Sequence, residues 1–352
     1  MKSPINRAIP TASRGSILIF VLWVLMLLSI FTLSVGYSVR QRLKAVERLE
    51  TKEALRYVAE AGVKKAWDIL NSKEIKSGPA DTLNQPWSIN FSAFKGVQVG
   101  DGNFTVMKYA YAQGKANYEE GLPQSYGMID EESKLNLNQT QSPPVLAELI
   151  QRALRMETEM ASTLAESIVD WIDADDHSYA SGAESRFYRN LRNPYQPKNA
   201  FLNTLEELLL VKGMTPEILR ALRSYVTVQS NGKINMNTVS HVVLNALGLN
   251  ETLTAKVLSY RAGTDKQVGT RDDGIFTNIN DISTDLEKAG LIDAGEKEVL
   301  DNFVYSTPID ISSQNFEVHS IGKLNHRKEA LMIHCVIERQ GGVRQWQETY
   351  VR

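Results

Sequence analysis

The chain lacks several features that would each point to a chemistry. Among its 352 residues there is one cysteine, Cys335, which excludes an internal disulfide and any zinc cluster built on several thiolates. Its setting in LMIHCVI is that of a thiol in a buried strand. Net charge is small: 39 Lys and Arg against 41 Asp and Glu leave −2, so no overall field draws the protein to nucleic acid or to an anionic surface. The five histidines, His177, His241, His319, His326 and His334, are scattered, and there is no HExxH, GxSxG elbow or phosphate loop. Enzyme activity is therefore not expected. Two local absences say more: proline is missing from Ser16 to Leu70, and charge is missing from Ser16 to Val39.

That uncharged run of 24 positions extends about 36 Å as a helix, enough to cross a bilayer. A cleavable secretory signal would be shorter and would end in a small-x-small site, whereas this run continues into more helix. Lys2, Arg7 and Arg14 precede it with no acid among them, so the positive-inside rule keeps residues 1–15 cytoplasmic and sends the bulk across. Beyond it, Leu43, Val46, Leu49, Leu55, Val58, Gly62, Ala66, Ile69 and Leu70 hold a helical period with charges opposite. One helix of about 55 residues is predicted, its first half in lipid and its second packed on a soluble domain.

The period then changes. NFTVMKYAYA, SYGMIDEESKLNLN, NFEVHSIGKL, EALMIHCVIE and VRQWQETYV alternate and are rich in β-branched and aromatic residues, which predicts strands of an antiparallel sheet. Between the two groups nearly every segment has a helical pattern, so a helical domain is predicted as an insert in an α+β one. The expected organisation is 1–15 leader, 16–39 membrane half of the first helix, 40–142 first part of the α/β domain, 143–303 helical insert and 304–352 closing strands. Within the insert, GKINMNTVSHVVLNAL echoes ESKLNLNQTQSPPVLAEL. The asparagines suit chain reversal and helix capping, and the echo fits either an internal repeat or two independent turns.

LLLVKGMTPEILRALRSYV and LNALGLNETLTAKVLSYR each read as helix, glycine turn, helix. This is the outline of a helix-hairpin-helix, whose turn can bind a DNA phosphate. The second glycine of the DNA-binding version is replaced by Thr215 and Asn250, and six Lys/Arg stand against four Glu between Phe201 and Gly263, too balanced for counterion release. A structural or protein-contact role is expected of these hairpins, and nucleic acid is not an expected partner. The densest acid cluster is DWIDADDHSYASGAE, with Asp170, Asp173, Asp175, Asp176 and Glu184 around a loop holding Gly182. Oxygen ligands gathered on a loop suit calcium. The spacing is not that of an EF-hand, and the alternative is that Asp173 or Asp176 caps a helix while the others are solvated.

Taken together, the anchor helix, the α+β domain and the insert resemble the K-type minor pseudopilins of the type II secretion system. IDEESKLNLN, VDWIDADDHSYASGAESRFY, LEELLLVKGMTPEIL and KINMNT carry the likeness. The resemblance implies that prepilin peptidase cuts between Gly15 and Ser16 and methylates the new terminus. It further implies a subunit at the tip of a periplasmic pseudopilus, anchored in the inner membrane, that primes assembly with I- and J-type minor pseudopilins. The major pseudopilin and the inner-membrane assembly platform follow as further partners. It also implies calcium in the helical domain, for which Asp173, Asp175, Asp176 and Glu184 are the expected ligands. Two positions depart from the commoner pattern: Ser16 stands where most pseudopilins begin with phenylalanine, and Phe20 where the fifth residue is usually glutamate. A membrane-tethered DNA-binding protein and a type IV pilus minor pilin are the alternatives.

Overall fold

The computed structural model describes residues 15–108 and 126–351. The remainder of the leader, and the expected strand residues from 109 to 125, lie outside the described residues.

Helix α1 is Gly15–Leu70, as the proline-free run predicts. Its apolar side chains from Ile17 to Leu49 are exposed, Phe20 at 69%, which in water would be untenable for so many large residues and suits lipid. From Leu55 onward the period takes over: Leu55, Val58, Ala59, Val63, Ala66 and Leu70 are buried against the sheet. Two glycines let the backbones meet. A Cβ on Gly322 would lie 2.6 Å from the Ala59 nitrogen, and one on Gly62 would lie 2.1 Å from Ser320 Oγ, which donates to the Ala59 carbonyl at 2.7 Å.

Short helices α2 (Lys73–Lys76) and α3 (Phe91–Phe94) lead into β1 (Val97–Val99) and β2 (Gly102–Val106). A two-residue β3 (Ile129–Asp130) follows, then a 3-10 turn at Glu131–Ser133 and β4 (Leu135–Asn136). The insert comes next, and the chain closes with β8 (Asn315–Leu324), β9 (Ala330–Glu338) and β10 (Val343–Val351). The antiparallel sheet runs β1-β2-β8-β9-β10, with β3 also paired to β8. Thus strands on either side of the insert complete one sheet. Its core gathers Leu55, Trp87, Phe104, Phe316 and Ile333, and includes Cys335, buried as expected, with its thiol pushed up by burial to about 12.

SYGMIDEESKLNLN departs from the prediction of a single strand. Asp130 accepts from the Glu132 N–H at 2.9 Å and turns the chain after two paired residues, so LN of KLNLN joins a different ladder.

The insert has two halves of the same plan. The first runs β4, α4 (Pro143–Leu154), α5 (Thr158–Ile172), an acidic loop, α6 (Ser185–Arg189), a 3-10 segment Leu205–Leu210, α7 (Pro216–Leu222) and β5 (Val226–Thr227). The second runs β6 (Ile234–Asn235), α8 (His241–Ala246), α9 (Glu251–Arg261), a loop, α10 (Ile282–Lys288), α11 (Ala294–Ser306) and β7 (Ile309–Asp310). Each half closes on itself with a parallel pair, β4 with β5 and β6 with β7. KLNLN and KINMN are equivalent in detail. The first asparagine of each, Asn136 or Asn235, accepts from the N–H two residues on. The second, Asn138 or Asn237, exchanges two hydrogen bonds with a distant backbone, at Leu202 or Phe276. The asparagines therefore reverse the chain but do not cap the helices; Ser240 caps α8 through the Val243 N–H.

Buried polar groups pin the insert to the sheet. Asn235 Nδ2 reaches the Asp81 carbonyl (3.1 Å), Asp130 Oδ2 (3.1 Å) and Ser313 Oγ (2.8 Å). Arg339 pairs with Asp81 at 2.5 Å, and Glu132 accepts from Asn315 Nδ2 at 2.7 Å. Burial holds the Asp130 carboxyl above its usual range and pushes Glu132 up to about 8.

Candidate functional site

The acid cluster is built by the end of α5. DWID places Asp170 and Asp173 three residues apart, hence on one helical side. Asp173 leaves the helix in extended conformation and is its C-cap. The loop folds back so that the Tyr179 and Ala183 N–H groups donate to Asp170 at 3.2 and 2.7 Å. Gly182 makes that return possible: a Cβ there would sit 1.9 Å from Asp170 Oδ2. Lys212 Nζ ties the loop down through the Ser181 and Gly182 carbonyls, and Trp171, Tyr188 and Tyr195 form an aromatic wall behind it.

The folded loop delivers Glu184, at the N-cap of α6, to the two aspartates. Asp170, Asp173 and Glu184 each place a carboxylate oxygen within 4.8 Å of the others. Both Glu184 oxygens and Asp173 Oδ1 are buried without a hydrogen-bond donor, which is costly for groups that carry charge. Burial first and the neighbouring carboxylates second push Glu184 up to about 8 and Asp173 to about 6, and burial raises Asp170. Three converging carboxylates with unclaimed oxygens are the kind of donor set that hard cations take.

The other expected ligands lie on the same loop with other contacts. Asp176 accepts from the Ser185 N–H at 3.1 Å and adds its charge to the Glu184 environment. Asp175 is exposed and accepts from the His177 N–H at 2.8 Å. Asp170 was absent from the ligand set read from sequence; its spacing from Asp173 was the available signal.

The hairpins keep their cations occupied. Arg223 pairs with Glu206, Lys233 with Asp310 and Lys256 with Glu296, while Arg261 is buried and donates to the Val239 carbonyl. Thr215 and Asn250, at the second glycine positions, cap α7 and α9 by accepting from Ile218 and Leu253, and the first leg of the first hairpin is 3-10. These turns use their helix N-termini internally. A second cluster had no sequence signal: β8 and β9 bring Glu317, His319 and His334 together.

Residues 127–231, which span β3, the first half of the insert and the acid loop, match the family model for type II secretion system (T2SS), protein K. The chain carries a protein K domain. It is 34% identical over 128 residues to a type II secretion system protein K of Pectobacterium carotovorum, a match covering 35% of this chain and 38% of that relative. It is 24% identical over 245 residues to the protein K of Pseudomonas aeruginosa, covering 66% of this chain and 68% of that one. In structure it is similar to a chain of the GspK-GspI-GspJ complex from the enterotoxigenic Escherichia coli Type 2 Secretion System, with TM-score 0.60, 20% identity, 87% of this chain covered and 99% of the other. The protein K fold, a long N-terminal helix on an antiparallel sheet interrupted by a helical domain, is therefore the fold of this chain.

Proposed function

We propose that the protein is a minor pseudopilin of a type II secretion system, a structural subunit and not an enzyme. The observation that carries this reading is the protein K match over residues 127–231, joined in one chain to a helix long and apolar enough to cross a membrane. In this reading prepilin peptidase cleaves between Gly15 and Ser16 and methylates Ser16. The anchor sits in the inner membrane with the C-terminal bulk in the periplasm, and the subunit primes the pseudopilus tip with I- and J-type partners before the major pseudopilin adds below. A similar chain comes from a GspK-GspI-GspJ complex, which supports that choice of partners. Phe20 fits a terminal position. A fifth-position carboxylate in lipid needs the amino terminus of a neighbouring subunit to offset its charge, and a subunit with nothing above it has none.

The acid loop fits a calcium ion on the chemistry of its donors. The unclaimed buried oxygens of Asp173 and Glu184 can take a cation in place of protons, and Asp170 is the third carboxylate at hand. Asp170, Asp173 and Glu184 would hold the ion, with Asp175 and Asp176 as further oxygen donors on the loop. Bound calcium would neutralise the clustered charge and cross-link the end of α5 to the start of α6.

Co-expression of the full chain with prepilin peptidase and I- and J-type pseudopilins tests the proposal. A methylated Ser16 terminus by mass spectrometry and recovery of all three subunits together are expected. An intact Met1 terminus beside active peptidase, or no co-purification, would overturn it.

A further inference from the structure

Among the described residues outside the acid loop, a second set of metal-ligating side chains lies on one face of the sheet. Glu317 and His319 are two apart on β8, so both point the same way, and His334 is the direct cross-strand partner of His319 on β9. The imidazoles stack in parallel, 4.4 Å apart at 4°. Both Nε2 atoms stand 2.8 Å from the same oxygen, Glu317 Oε1. We propose that Glu317, His319 and His334 form a binding site for a divalent transition metal, zinc being the ion their donor set suits best.

Two imidazoles and one carboxylate are a common protein set for zinc, with a fourth position left for water. Zinc lies about 2.0–2.2 Å from such ligands, which places tetrahedral donors about 3.3 Å apart; the observed 2.8 Å contacts therefore need to open by about 0.5 Å, and the two parallel rings to tilt so that both Nε2 lone pairs meet at one point. The outer shell is in place. Lys134 Nζ holds the other carboxylate oxygen, Glu317 Oε2, at 2.5 Å and also pairs with Glu131 at 2.5 Å. Glu131 in turn accepts from the Thr227 hydroxyl. Lys134 thus fixes the carboxylate and leaves Oε1 toward the imidazoles, as outer-shell partners of metal ligands do. A cleft of about 20 Å³, lined by Glu206, Arg223, Gln229, Glu317 and His334, lies beside the site, room for one small ion or a water.

The competing arrangement is a metal-free trio in which both imidazole N–H groups donate to Glu317. To separate them, full-length protein in detergent is stripped with chelator, held in millimolar calcium to fill the acid loop, and titrated with Co²⁺. One tightly bound equivalent with tetrahedral visible absorption is expected. E317Q and H334Q should weaken it by about tenfold or more, while H177A leaves it unchanged. Because a buried variant can fail to fold, zinc-loaded wild type is also measured by X-ray absorption, where scattering from two imidazoles is expected. Binding that survives H334Q in folded protein, or a zinc shell without imidazole, would overturn the proposal.

Discussion

The two halves of the insert share a plan and treat their acids in opposite ways. In the first half, the loop after α5 leaves both oxygens of Glu184 and one of Asp173 buried with no donor. In the second, the loop after α9 saturates its aspartates. Asp272 accepts from the Thr264 and Asp265 N–H groups and from the hydroxyls of Thr264 and Thr270, and Asp273 accepts from Gly269 and Thr270. Those hydrogen bonds hold the Asp272 carboxyl well below its usual range, whereas Glu184 is held far above it. Donor supply, not the number of acids, separates a loop that closes itself from one that leaves carboxylate oxygens unclaimed.

The largest expected break in the equivalence is at the paired asparagines. Asn235 bonds Asp81, Asp130 and Ser313 at the junction with the sheet, whereas Asn136 reaches only Ser230 beyond its own turn. N235A should cost about 3–4 kcal/mol because it strips a donor from the buried Asp130 carboxyl, and N136A about 2 kcal/mol. Equal losses in denaturant unfolding of the full chain would show that the two motifs are energetically alike after all.

Next in size is the response to calcium. Saturating calcium should raise the melting temperature of the wild type, by about 2.7 kcal/mol of added stability at a hundredfold excess over Kd. E184Q should abolish the rise and D272N should preserve it. A rise retained in E184Q would place the ion elsewhere.

The smallest effects are in pH and have opposite signs. With chelator present, Glu184 has a folded pKa near 8 against about 4.5 unfolded. The folded state binds the extra proton between those values, so stability from this group is full below pH 4.5 and is lost as pH rises toward 8. Asp272 is the reverse: its contribution is present above its unfolded value of 3.8 and falls away in stronger acid. Melting curves of E184Q should flatten the alkaline side, and those of D272N the acid side; the same flattening in both variants would contradict the contrast.

Much of this was legible because it is periodic. The absence of proline and the spacing of Leu55, Val58, Ala66 and Leu70 were enough for α1, and alternation was enough for the last three strands. The echo of KLNLN in KINMN is now a structural repeat. What could not be read depends on partners far along the chain. The break at Asp130 is set by a turn and by Asn235, Ser313 and Thr238, each more than a hundred positions away. Asp170 looked like one acid among five until Gly182 brought the loop onto it. His319 and His334 meet only once the β8–β9 register is known.

The insertion also sets an order in time. Leu55, Val58 and Ala59 are made early, yet the strands that cover them, β8 and β9, come from the last part of the chain. At roughly 5–20 residues per second, the approximately 270 residues between Leu70 and Ile337 take about 15–50 s to synthesise. Throughout that interval the apolar face of the helix has only part of its native cover, from β2 and the residues before it. The insert, whose halves close within themselves, can fold while the sheet waits, so the domain begun first along the chain is the last to become whole.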